Sequence, residues 1–134
     1  LLVELRKMRY GCHIENEYFG CLCYADDVIL ISPSMIGLQK MLNICESIGR
    51  DLVINFNPVK SSCLAIGTKH PHFILPPLQL CNVEIKWVDS IKYLGTFIKS
   101  SRSFNIDIGQ AKRNFYASDN SMLNKCKYSN DVLN

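Results

Sequence analysis

Two apolar runs, Phe19-Gly20-Cys21-Leu22-Cys23-Tyr24 and Val28-Ile29-Leu30-Ile31, are each long enough for a strand and are separated only by Ala25-Asp26-Asp27. Adjacent carboxylates repel, and apolar walls strengthen that repulsion by removing water. The pair therefore belongs at the tip of a hairpin, where two outcomes are open. The aspartates can be simply solvated, as turn aspartates commonly are. They can instead grip a hard divalent cation, since Mg2+ takes one or two carboxylates together with substrate phosphates, the arrangement of two-metal phosphoryl transfer. The turn lacks Gly and Asn, and the flanking runs have the apolar character of a buried sheet, which raises the weight of the second outcome and leaves both open.

Tyr24-Ala25-Asp26-Asp27 followed by Val28-Ile29-Leu30-Ile31-Ser32 resembles the polymerase palm motif of reverse transcriptases, in the form typical of non-LTR (LINE-type, Jockey-like) retrotransposons. Three later stretches agree with the same family in order. Gly49, then Leu52-Val53-Ile54-Asn55-Phe56-Asn57, then Lys60-Ser61 and Cys63-Leu64 is similar to its next block. Tyr93-Leu94-Gly95 is similar to the block whose strand pair holds the primer's 3′ end. Gln110 to Leu123, with Arg113, Phe115-Tyr116 and Asn120, resembles more loosely the segment leading into the thumb. The resemblance spans roughly residues 10–125.

The resemblance implies an α+β fold: a partial polymerase palm, with an antiparallel sheet, helices packed on one face, and a C-terminal helix leading to the thumb. It divides the chain into residues 1–98, partial palm, and 99–134, the start of the thumb. It implies an RNA-directed DNA polymerase that joins a deoxynucleotide to a primer 3′-hydroxyl, with Mg2+ or Mn2+ as cofactor. RNA template, DNA primer and deoxynucleoside triphosphates are the implied partners. Asp26 and Asp27 take the catalytic and metal-ligand positions, and Lys60 that of the proton donor to departing pyrophosphate. Tyr24, Ala25, Tyr93, Leu94 and Gly95 lie at nucleotide- and primer-binding positions. Lys112 and Arg113 are candidates for contact with the nucleic-acid backbone.

One departure matters. The family's clamp is completed by an aspartate on an earlier palm strand, and the acids before residue 24 are only Glu4, Glu15 and Glu17. The triphosphate-gripping fingers are missing as well. The chain on its own is therefore expected to bind metal weakly and not to polymerise. Leu1 in place of an initiator Met fits a chain that begins inside a longer protein.

With 134 residues, 48% hydrophobic and 20% charged, the sequence has the composition of a globular domain rather than of disorder. No run approaches the ~18 uninterrupted apolar residues of a membrane span, so no membrane partner is expected. A net charge of +3 does not demand nucleic acid, but its distribution is suggestive. Lys99, Arg102, Lys112, Arg113, Lys125 and Lys127 face only Asp107 and Asp119 in their segment, and Arg6, Lys7 and Arg9 form a second cluster. Such patches neutralise phosphates or coat a solvated helix. Seven cysteines without Cys-x-x-Cys spacing, and His70-Pro71-His72 without cysteines at zinc-finger spacing, read as reduced, mostly buried thiols of an intracellular protein, cytoplasmic and nuclear.

Along the chain, residues 1–9 read as the end of a helix. Tyr10 to Glu15, Tyr18 to Tyr24 and Val28 to Ile31 read as three consecutive antiparallel strands, and Gly20 as a point of close approach by another backbone. Ser32-Pro33-Ser34 starts a helix whose stripe, Leu38, Met41, Leu42, Cys45 and Ile48, faces the core and which stops at Gly49. Leu52 to Phe56 and Ser62 to Ile66 read as strands around a turn in which Asn57 bonds its own backbone. Gly67 to Pro77 reads as a loop, Leu78-Gln79-Leu80 and Val83 to Val88 as a hairpin about Cys81-Asn82, Ile91 to Ile98 as one strand, and the segment from Asp107 as a helix.

Two other functions fit less of the sequence. A palm relic holding nucleic acid through its basic segment would need no metal. A small domain whose Asp pair is an ordinary turn would need neither.

Overall fold

Ser34 starts the longest helix of the first half of the chain, α2 (Met35–Leu52), where the sequence predicts a start. Its Oγ accepts the Gly37 amide at 3.1 Å and so satisfies one of the orphan donors of the first turn. The helix carries its apolar residues on two adjoining stripes, because Met41 and Leu42 are about 100° apart on a 3.6-residue turn. Each stripe meets a different neighbour.

The computed structural model describes residues 1–67 and 75–130, and their contacts gather into two units. Residues 1–63 and 75–87 form the first, 64–67 and 88–130 the second. The fold is mixed α+β, with helices and small sheets whose pairings among the described residues are antiparallel in every case but one. The loop expected to carry His70 and His72 lies mostly outside the described residues.

In the first unit, α1 (Leu2–Lys7) precedes two hairpins, β1 (His13–Ile14) with β2 (Glu17–Tyr18) and β3 (Cys21–Tyr24) with β4 (Asp27–Leu30). Backbone bonds join the two: Phe19 N to Cys12 O at 2.8 Å, Cys12 N to Ile31 O at 3.0 Å and Ile31 N to Gly20 O at 2.7 Å. The three strands expected from the sequence are thus realised as two short ladders stitched at Phe19-Gly20. Gly20 does mark a close approach by another backbone, since a Cβ on Gly11 would lie 2.9 Å from the Gly20 Cα, and an aromatic ring closes on Gly20 as well. A Cβ there would lie 2.6 Å from the Tyr18 ring, so the space is taken by the chain's own aromatic side chain.

Leu5, Cys21 and Met41 form one buried cluster, with Tyr18, Val28 and Ile44 packed against it. Leu42 joins Cys63, Leu78, Leu80 and Ile85 in the other, against Leu38, Phe56 and Trp87. The second cluster rests on a three-stranded sheet in the order β5 (Ser62–Cys63), β7 (Val83–Trp87), β6 (Leu78–Leu80). The β6–β7 hairpin turns at Cys81-Asn82, both at positive φ, as expected of a two-residue turn with matching twist. The outer edge of β6 is closed by α2 side chains. Gln39 donates to Gln79 O at 2.9 Å and accepts Gln79 N at 2.8 Å, and Glu46 Oε1 accepts the Cys81 amide.

Three sequence expectations differ from the structure in this unit. The helix does not stop at Gly49 but continues to Leu52 and ends on Val53 in the left-handed region, φ 57°. Leu52 to Phe56 is consequently helix end and irregular chain instead of a strand. The strand foreseen over Ser62 to Ile66 is confined to Ser62–Cys63, and it pairs parallel to β7.

The second unit is a meander of β8 (Ser90–Tyr93), β9 (Thr96–Lys99) and β10 (Asn105–Asp107), followed by α3 (Gly109–Asn130). The single strand expected over Ile91 to Ile98 is instead a hairpin, because Leu94 and Gly95 adopt φ of 47° and 81° and reverse the chain. Asp107 bridges to Lys99 at 2.8 Å and accepts the Gly109 amide at 2.9 Å, starting α3. Those contacts hold its carboxyl below the usual carboxylate range, the Lys99 hydrogen bond foremost. Every fully buried apolar residue described belongs to the first unit.

Candidate functional site

The sequence expectation that survives most directly is the position of the two aspartates. Tyr24 pairs with Asp27, so Ala25 and Asp26 alone form the turn between β3 and β4. Opposed residues of an antiparallel pair share a face, and neighbours along a strand alternate. Cys21, Cys23, Val28 and Leu30 therefore lie on the face that meets the core, while Leu22, Tyr24, Asp27 and Ile29 lie on the other. Asp26 sits on the turn itself, next to Asp27 in the chain.

Both carboxylates are exposed, and neither accepts a hydrogen bond or forms an ion pair among the described residues. They are thus available to an external partner. Two carboxylates supply hard oxygen donors of the type Mg2+ and Mn2+ prefer. They do not complete a site: no group of three or more His, Cys, Asp or Glu among the described residues could hold a metal ion. The donor set fits a cation that takes its remaining ligands from phosphate oxygens and water.

Ala25 holds φ 50° at the first turn position. An L-residue pays roughly 1 kcal/mol or more for that region, which glycine enters freely. Local backbone strain of this kind gathers at functional turns. Ala25→Gly is expected to stabilise the first unit by about 1 kcal/mol, the relief of left-handed strain outweighing the added freedom of the unfolded chain. Chemical denaturation of the variant beside the parent checks the sign.

The remaining predicted residues lie on other elements. Lys60 is exposed on the turn after Asn57, whose Oδ1 accepts the amides of Val59 at 3.0 Å and Lys60 at 3.2 Å, so the self-bonding turn forms as expected. No contact joins Lys60 to Asp26 or Asp27 among the described residues. Tyr93, Leu94 and Gly95 belong to the second unit, at the tip of the β8–β9 hairpin, where Thr96 Oγ1 donates to Tyr93 O at 2.9 Å. Lys112 and Arg113 lie exposed in the first turns of α3.

One feature was only partly signalled by the sequence. Arg6 and Arg9, of the N-terminal basic cluster, line an open groove of about 470 Å³ with His13, Glu15, Asn16 and Tyr18. Its charge is partly spent, because Arg6 reaches Glu17 at 3.5 Å.

Comparison with protein-family models, with curated proteins and with solved structures finds no match to this chain. Among the described residues no helix is long and apolar enough to cross a membrane.

Proposed function

We propose that the chain is part of a non-LTR retrotransposon reverse transcriptase, an RNA-directed DNA polymerase, with residues 1–98 from the palm and 99–134 from the start of the thumb. The observation that carries this reading is the exposed Asp26 on the two-residue β3–β4 turn beside the exposed Asp27 that opens β4, neither carboxylate in a hydrogen bond or ion pair among the described residues, in the Tyr-Ala-Asp-Asp sequence context. Asp26 and Asp27 would hold Mg2+ or Mn2+, which when bound activates the primer 3′-hydroxyl and offsets charge on the departing phosphates. Tyr24 and Ala25 lie beside the incoming nucleotide and primer end in this reading. The Tyr93-Leu94-Gly95 tip contacts the primer, Lys60 gives a proton to the leaving pyrophosphate, and Lys112 and Arg113 meet backbone phosphates.

Two carboxylates without a third ligand are half of a polymerase clamp, so the chain alone is expected not to polymerise. The same observation favours a second reading, a nucleic-acid-binding remnant that uses its basic segment without metal. Fluorescence anisotropy with a labelled RNA template–DNA primer duplex separates them. The polymerase reading predicts binding that weakens on the order of tenfold between about 50 and 200 mM salt. It further predicts tightening by Mg2+ plus a complementary deoxynucleotide, lost in Asp26→Asn and in Asp27→Asn. Salt-dependent binding indifferent to Mg2+ supports the remnant, and absence of binding contradicts both.

A further inference from the structure

Cys21 and Cys23 lie two residues apart on the core-facing side of β3, with their Sγ atoms 3.8 Å apart. Cys21 is buried and Cys23 is exposed to solvent. We propose that this pair is an oxidation site, in which a hydroperoxide converts Cys23 to a sulfenic acid and Cys21 closes a Cys21–Cys23 disulfide that distorts the aspartate-bearing hairpin.

The roles follow from access and spacing. A peroxide reaches Cys23 from solvent, whereas Cys21 is shielded by the cluster with Leu5 and Met41. In the first step the Cys23 thiolate attacks a peroxide oxygen, the O–O bond breaks, and alkoxide or hydroxide leaves to take up a proton. Sulfur is oxidised by two electrons and the peroxide is reduced. In the second step Cys21 sulfur attacks Cys23 sulfur, the S–O bond breaks, and hydroxide leaves with the Cys21 proton as water. Burial chiefly, then the hydrogen bond and charge of Cys23, pushes the Cys21 thiol up to about 12.

The product strains the strand. Residues two apart in a strand have Cα atoms about 6.5 Å apart, at the upper end of what a disulfide spans. Closing the bridge draws Leu22 out of its pairing with Ile29 and loosens the adjoining Tyr24–Asp27 pair. A bridge under such strain is readily reduced, as labile disulfides are.

The test uses the full chain, reduced, then exposed to one equivalent of hydrogen peroxide at neutral pH. Remaining thiols are alkylated and the tryptic fragment from Tyr10 to Lys40, which holds Cys12, Cys21 and Cys23, is sequenced by mass spectrometry. The proposal predicts a fragment lighter by two hydrogen atoms with Cys12 still alkylated, restored by dithiothreitol and absent in Cys23→Ser. Amide exchange over Leu22 to Tyr24 and Val28 to Leu30 should accelerate on the order of tenfold on oxidation, the signature of local opening. In Cys21→Ser the sulfenic acid should persist and be trapped by a 1,3-diketone. If that variant does not fold, the parent fragment decides alone. A bridge to Cys12 or Cys45, a bridge between chains, sulfinic acid without a bridge, or an unoxidised pair would each overturn the proposal. These readouts do not involve the cation, so they stand apart from the polymerase reading.

Discussion

Met41→Ala should cost the first unit about 2–5 kcal/mol of stability, seen as a lowered denaturation midpoint at unchanged slope. Met41 is 0% exposed and sits where α2, α1 and the β3–β4 hairpin converge, against Leu5 and Cys21. Truncation removes the thioether and leaves a cavity whose walls come from three separate elements, so no single shift refills it. Alanine's better helix propensity returns only a few tenths of a kcal/mol and does not change the sign. Ile36→Ala on the same helix is the control: at 73% exposure it should move stability by no more than ~0.5 kcal/mol. A Met41→Ala change as small as the control's would mean that the hairpin is not packed on α2 as described.

Gly49→Ala should destabilise by about 1–3 kcal/mol, although glycine to alanine inside a helix ordinarily gains about 1 kcal/mol. The sign is decided by what surrounds the position. An added Cβ would lie 2.7 Å from Ile54 O and 3.2 Å from the Phe56 ring. Ile54 cannot retreat cheaply, because its amide donates to Gly49 O at 2.8 Å where the chain doubles back after Val53. A backbone carbonyl whose residue is held by its amide's hydrogen bond does not yield as a side-chain tip would. Ser47→Ala, exposed on the same helix, gives the propensity gain without the clash, and a Gly49→Ala gain matching it would refute the close contact.

Gly49 also explains one limit of the sequence. Read by residue type, it is a helix terminator; in the fold it is a helix residue made small by the returning chain, and the terminator is Val53, a β-branched side chain 85% exposed. No local rule predicts valine in the left-handed region. Leu94 at φ 47° has the same effect on the expected Ile91–Ile98 strand, splitting it together with Gly95, whose glycine alone does not tell a turn from a bulge. The parallel pairing of Ser62–Cys63 with Lys86–Trp87 joins distant segments and leaves no periodic trace. What was legible rests on short-range chemistry: the Ser34 cap, the Leu38-to-Ile48 stripe, the Asn57 turn and the Cys81-Asn82 hairpin.

The candidate site divides in the same way. Two strands and a carboxylate pair between them are local facts, and the hairpin forms where they require it. The left-handed Ala25 and the contact between Cys21 and Cys23 depend on backbone geometry that residue identity did not signal. For Lys60 and Tyr93-Leu94-Gly95 no local pattern encodes a role beside the aspartates, which the resemblance alone implies.

Mn2+ titration followed by amide NMR reads directly whether Asp26 and Asp27 form a half-site for a divalent cation, as proposed. Selective paramagnetic broadening centred on Tyr24 to Val28, competed by Mg2+ and abolished when Asp26→Asn and Asp27→Asn are combined, is the predicted result. Broadening that bypasses this turn, or that persists in the double variant, would contradict it.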